Sequence, residues 1–391
     1  MSARSFFTRD FCLLFVANFV VVGVYFLLVT TMAAYALGAY DGCTNSQAGL
    51  AASIFLIGGV LGRIACGRYA DYIGLRVLTI ISLGITVASC LAYLVSGFSL
   101  AFLMVVRLIH GVAFGVANTT LPAIVAKTLP ASRLGEGTGY FMLSNSLALG
   151  IGPMVGLLVT AGMDYQVVFM VCLVAAVIAL VCMIATKVKS DAPTRVKPGR
   201  FTISSFLDPK AARFSIFMFL VGIAYASINT YLNSYAGTLG LSAFSPFTFL
   251  TYSIVLLISR PLTGKLMDRK GENAVLYLSI ACHVITFLLA AFACNGVMLI
   301  AVGIFMALGF GTCMSVGQAV CVKLLGQDRS TIAVGTFFFL CDAGCGIAPF
   351  FWGLIITALG YQHLYLVCAG VAVVALAYYH IEHGRNVKKA Q

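Results

Sequence analysis

Long apolar stretches alternate with short polar ones from one end of the chain to the other. Twelve of them, at approximately 11–37, 47–66, 77–95, 99–124, 137–161, 166–186, 214–237, 246–264, 274–293, 297–321, 331–358 and 363–380, are long enough to span a bilayer. A helix rising 1.5 Å per residue needs about 20 residues to cross the ~30 Å hydrocarbon core, and it satisfies its own backbone hydrogen bonds on the way. The pattern predicts an all-α membrane protein with twelve transmembrane helices in two pseudo-symmetric six-helix bundles. Residues 1–186 form the N-terminal bundle, 187–213 a basic linker, and 214–391 the C-terminal bundle.

The two halves carry the same spaced residues. Arg63, Gly67, Asp71 and Gly74 recur 197 positions later as Arg260, Gly264, Asp268 and Gly271. Gly150-Ile151-Gly152-Pro153 recurs 196 positions later as Gly346-Ile347-Ala348-Pro349, with Lys127/Lys323 and Arg133/Arg329 in step between the blocks. Duplication of this kind in an apolar chain is the sequence mark of a secondary transporter. Composition agrees: 61% of the residues are hydrophobic and only 9% charged, a balance no water-facing globular surface carries.

Charge then orients the spans. All but three of the 24 Lys and Arg precede the first span, follow the last, or fall in alternate connections, those at 67–76, 125–136, 187–213, 265–273 and 322–330. The other connections hold only Asp41 and Asp164. By the positive-inside rule both termini and the linker are cytoplasmic, so the net charge of +12 reports topology and not nucleic-acid binding. The linker's basic residues would lie against anionic lipid headgroups. The first apolar run is longer than the core of a removable signal peptide and reads as a retained span. Thirteen cysteines show no metal or disulfide spacing, and most fall inside spans as small hydrophobes. No Gly-rich loop followed by Lys-Ser/Thr implies ATP, so energy is expected from an ion or substrate gradient. No metal, cofactor or nucleophile–base set is expected, and hence no enzyme.

The run Gly67-Arg68-Tyr69-Ala70-Asp71-Tyr72-Ile73-Gly74-Leu75-Arg76, with its weaker copy Gly264 to Gly271, resembles the signature loop of the major facilitator superfamily. The resemblance covers essentially the whole chain. It implies that Gly67, Asp71, Gly74 and Arg76, with Gly264, Asp268 and Gly271, act as a conformational latch, Asp71 facing the start of the eleventh span near Ser330 and Thr331. Arg107-Leu108-Ile109-His110-Gly111 resembles the family's Arg-x-x-Gln-Gly motif, with His in place of Gln. Gly150 to Gly156 resembles the motif of proton-exchanging exporters, with Ala148 where the pattern prefers Gly. Gly152, Pro153 and Gly156 would supply close helix contact and a bend.

Polar groups inside the spans are the remaining candidates. Arg107, His110, Phe114 and Asn118 lie on one helical stripe. The resemblance implicates Arg107 in proton transfer. His110 is either a proton carrier or a neutral hydrogen-bonding replacement for Gln. Asp342 is the one acid placed near the middle of a span, and its counterpart in the first half is Ser146, so it is an asymmetric addition to the repeat. It is the first candidate for the coupling acid, with a structural partner for Arg107 as the alternative. Asn18, Tyr25, Asn118, Asn145, Tyr225, Asn229 and Gln318 either line a substrate cavity or join helices by hydrogen bonds. His283 falls in the ninth span, which the family places at the lipid-facing periphery.

These features predict a monomeric exporter of a small molecule in a bacterial cytoplasmic membrane, working by alternating access in exchange for protons. A proton-coupled importer of a sugar, organic acid or peptide would use the same fold. A membrane sensor would want an added soluble domain.

Overall fold

The structure is a computed structural model that describes residues 8–129, 134–188, 207–326 and 330–387. Apart from short connections, those residues are helical. In order come α1 (Arg9–Ala39), α2 (Asn45–Ile73), α3 (Leu75–Tyr93), α4 (Leu100–Thr128), α5 (Leu134–Gly162), α6 (Tyr165–Ala185) and α7 (Pro209–Thr238). Next are α8 (Ser245–Ala291), α9 (Gly296–Met306), a π-helical turn (Ala307–Gly311), α10 (Thr312–Leu325) and α11 (Ser330–Tyr379). A second π-helical turn, His380–Gly384, ends the last span.

Two of these helices are each a pair of spans. Gly271 breaks α8 at φ 77° and ψ 171°, and Gly360 breaks α11 at φ 81° and ψ 174°. Without that break the 53-residue stretch Ile332–Gly384 would extend about 80 Å as one helix, far more than a bilayer's depth. Counted across both breaks, with α9, the π turn and α10 as one, the spans number twelve. Gly74, which starts α3, has φ 90°, so the two glycines related by the 197-residue repeat make the same positive-φ turn. Only a residue without Cβ enters that region freely.

The helices start where their caps place them. Asp208 accepts from the amides of Lys210 (2.8 Å) and Ala211 (3.2 Å), with Pro209 in the first turn, so α7 begins five residues ahead of its apolar run. Asn295 caps α9 by accepting from Met298 N at 3.0 Å.

The chain forms two compact units, Met1–Val29 with Ile54–Arg200, and Thr30–Ser53 with Phe201–Gln391. In the first, a Cβ on Gly111 of α4 would collide with the Phe55 backbone of α2, so those two helices touch main chain to main chain. In the second, the Tyr231 hydroxyl of α7 lies 2.9 Å from Asn45 O and 2.8 Å from Pro349 O, and donates to that pair of carbonyls. The start of α2 thereby belongs with α7 and α11.

Candidate functional sites within the two units

In the first unit the stripe on α4 turns into the helix bundle. Arg107 is fully buried and His110 nearly so. The guanidinium carbon of Arg107 sits 4.7 Å from the centre of the Phe55 ring, a cation–π contact. Tyr93 of α3 is the connecting group: its hydroxyl lies 3.0 Å from His110 Nδ1 and within hydrogen-bonding reach of Arg107. A guanidinium only donates, so towards Arg107 the hydroxyl oxygen is the acceptor. Whether the hydroxyl donates to Nδ1 or accepts from it follows the tautomer of the imidazole. The result is a buried chain, Arg107 to Tyr93 to His110.

Further aromatic rings lie beside Phe55, and amides join two other helices of the unit. Tyr25 stacks on Phe55 (5.1 Å between centroids) and meets Phe114 at 5.0 Å. Asn18 donates to Ser144 Oγ and to Asn145 Oδ1, each at 2.7 Å, joining α1 to α5. Higher on α5, a Cβ on Gly152 would come 2.7 Å from Gly23 O, so this segment packs directly on the α1 backbone. Pro153 and Gly156 are buried beside it, and Asn118 is half-buried on α4.

In the second unit Asp342 is half-buried on α11. It lies next to a close α7–α11 contact, where Cys345 Sγ is 3.4 Å from Gly222 O, and three turns before Trp352, whose Nε1 donates to Ile223 O at 2.8 Å. Tyr225, one turn further along α7, lies face to face with Phe310 of the π turn, centroids 3.6 Å apart and planes 4° from parallel. Asn229 follows one turn on and is buried. Gln318 is half-buried on α10. His283 is not at a lipid-facing surface: it is fully buried, with Nε2 3.1 Å from Val221 O of α7 and its ring against Phe287. A polar ring in the ninth span escapes lipid by turning onto a carbonyl of α7.

The latch residues divide. Gly74 and Gly271 make the turns described above, and Gly264 is exposed on α8. Arg76 spreads its guanidinium over the end of α6, donating to Ile184 O (3.2 Å), Thr186 O (2.9 Å) and Val188 O (2.7 Å). Its counterpart Asn273 donates to Gly384 O at 2.8 Å, closing the last span in the same way. The adjacent Glu272 is held by Lys323 Nζ at 2.9 Å and His383 Nε2 at 2.7 Å. The environment of Gly67 and the side chains of Asp71, Asp268, Ser330 and Thr331 lie outside the described residues, as does most of the linker. Among the described residues no group of three or more His, Cys, Asp or Glu is placed to hold a metal ion.

A doubled set of six spans, matched turn glycines and matched helix-end caps define a carrier scaffold, and residues 14–349 match the Major Facilitator Superfamily. The chain belongs to that superfamily. Among curated proteins it is 27% identical over 252 residues to the MFS-type transporter SLC18B1 of Rattus norvegicus, a match covering 58% of this chain and 51% of the relative. The chain thus spans about half the length of that relative. It is 30% identical over 159 residues to the multidrug resistance protein MdtG of Serratia proteamaculans, covering 39% of this chain and 38% of that protein. Among solved structures, the nucleoside transporter NupG superposes with a TM-score of 0.76 at 16% identity, over 96% of this chain and 99% of that one. At that identity the likeness is one of fold.

Tyr93, Phe55, Phe310 and His283 are the site residues that the motifs of the superfamily do not announce. Phe310 had a signal, because it lies 196 positions after Phe114 and between two glycines. Tyr93 had none: its partner His110 is known only once α3 packs on α4.

Proposed function

We propose that this membrane transporter exports a small molecule across the cytoplasmic membrane in exchange for protons, by alternating access, with Asp342 as the coupling acid. The observation that carries the export reading is Gly152 pressed on the α1 backbone at Gly23, within the segment that resembles the exporter motif. A helix joined that tightly to its neighbour has no room for water between the two, which suits a carrier that must not leak protons. The partial likeness to a multidrug resistance protein supports the same direction.

Asp342 is the half-buried acid of the eleventh span. A carboxylate in a membrane-embedded position is costly unless compensated, so proton uptake from the outer side neutralises it and weakens its hold on substrate. Release of the proton on the cytoplasmic side restores binding. Arg107 and His110, linked through Tyr93, supply the polar group of the first bundle to this cycle. Substrate contacts fall to Tyr25, Asn118, Tyr225, Asn229 and Gln318. Asn18 and Asn145, which bond to each other, hold α1 to α5. The latch loops around Asp71 and Asp268 stabilise one end state on the cytoplasmic side.

Vesicles with an imposed pH gradient test the direction. Inside-out vesicles with an acid interior should accumulate substrates from a broad panel of small molecules, and the gain should vanish when the gradient is collapsed. Accumulation only in right-side-out vesicles with an acid exterior would instead establish proton-coupled import.

A further inference from the structure

The Tyr225–Phe310 pair has an unusual geometry. Aromatic rings carry a negative face and a positive edge, so pairs favour offset or edge-to-face arrangements with centroids about 4.5–7 Å apart over an eclipsed sandwich. Neighbouring pairs in the same unit comply, such as Phe214–Phe217 at 5.1 Å and Tyr235–Tyr365 at 5.2 Å. Tyr225 and Phe310, at 3.6 Å and 4°, instead form the sandwich that their own electrons disfavour.

Two further features converge on that pair. Phe310 lies in the π turn Ala307–Gly311, where a Cβ on Gly309 would come 2.8 Å from His283 N, so the bulge is pressed on the backbone of the ninth span. A π turn carries one residue more than an α turn, and relaxing it would rotate Phe310 by about 100° relative to one flank of the helix. One turn along α7 from Tyr225, on the same face, Asn229 is 4% exposed and its Oδ1 has no hydrogen-bond partner. A buried acceptor left unmatched is destabilising and calls for a donor. His283 fixes the frame from behind, bonding to Val221 O one turn before Tyr225.

We infer that Tyr225, Phe310 and Asn229 form a ligand slot closed by its own phenylalanine. The slot takes a flat, nitrogen-containing aromatic ring that bears an N–H donor. Such a ring replaces Phe310 against the face of Tyr225, where its lower electron density makes parallel stacking favourable, and its N–H donates to Asn229 Oδ1. Phe310 swings away as the π turn relaxes. This deepens the proposed function by naming a substrate class, and it rests on the reading of the protein as a small-molecule carrier.

The single tryptophan provides the reporter, because Trp352 is bonded to Ile223, two residues before Tyr225. The purified full chain is titrated in detergent with 6-aminoquinoline, with quinoline as the ring lacking the donor, and with cyclohexanol as a donor lacking the ring. Trp352 emission and calorimetry are read together. The slot predicts that 6-aminoquinoline binds at least fivefold tighter than either analogue. Asn229→Leu should abolish the preference over quinoline, while Phe310→Leu, which empties the slot, should tighten both aromatic compounds severalfold. Tyr225→Phe, which keeps the ring, should bind within about twofold of the parent, and this conservative variant stays informative if a harsher one misfolds.

Equal binding of all three compounds, no binding by either the parent or Phe310→Leu, or a preference unaltered by Asn229→Leu would overturn the slot. The same compounds separate the two claims. Discrimination in detergent without gradient-driven movement in vesicles would contradict proton-coupled export and leave the slot standing, whereas driven movement of other cargo without discrimination would do the reverse.

Discussion

Among single residues, Tyr93 has the largest consequence for its size. Its one hydroxyl bonds to both Arg107 and His110, which are themselves buried among apolar rings. Tyr93→Phe conserves the ring and its stacking on Phe169, and removes only the oxygen. Two buried polar groups then lose a partner, and each such loss costs about 1–3 kcal/mol. The thermal unfolding midpoint in detergent should fall by several degrees in Tyr93→Phe, and an unchanged midpoint would show that Arg107 and His110 are satisfied by other means. Arg76 allows a similar argument. Lysine there would keep the charge but lack the planar fork that reaches three carbonyls, so Arg76→Lys should lose most of the stability that Arg76→Ala loses. A lysine variant as stable as the parent would mean that charge near the helix end suffices.

For the elements, the turn between spans two and three and the turn between spans eight and nine make a matched pair of experiments. Gly74 and Gly271 both sit at positive φ with extended ψ, a region nearly restricted to glycine, where an L-residue pays about 1–3 kcal/mol. Gly74→Ala and Gly271→Ala should each lower the unfolding midpoint, by similar amounts, and alanine at the exposed Gly264 should not. A loss in only one of the pair would mean that the repeat no longer uses the two turns alike. The spans and these turns were legible in the sequence because hydropathy and the recurring glycines report on solvent and on backbone conformation directly. The π turn at Ala307–Gly311 was not, because α and π turns share nearly the same apolar pattern and differ by one residue of register. Span boundaries shifted where a polar cap precedes the apolar run, as at Asp208 before α7. The placement of His283 was illegible for another reason: whether a helix face meets lipid or protein depends on neighbours that periodicity does not name.

At the scale of the whole molecule, the duplicated scaffold is symmetric in its turns and helix-end caps and asymmetric in its chemistry. Asp342 stands where the first half has Ser146, and the Arg107–Tyr93–His110 chain has Ile304, Ala290 and Ala307 at the positions 197 residues on. The repeat therefore specifies a carrier, and the departures from it are where we propose that each half acts on protons and cargo. Asp342→Asn in sealed vesicles tests this most directly, because the amide keeps the shape and loses the proton. The account predicts that the variant, neutral throughout, holds substrate more weakly but still exchanges labelled for unlabelled substrate across the membrane at raised substrate concentration, while accumulation driven by a pH gradient disappears. Undiminished gradient-driven accumulation by Asp342→Asn would contradict it.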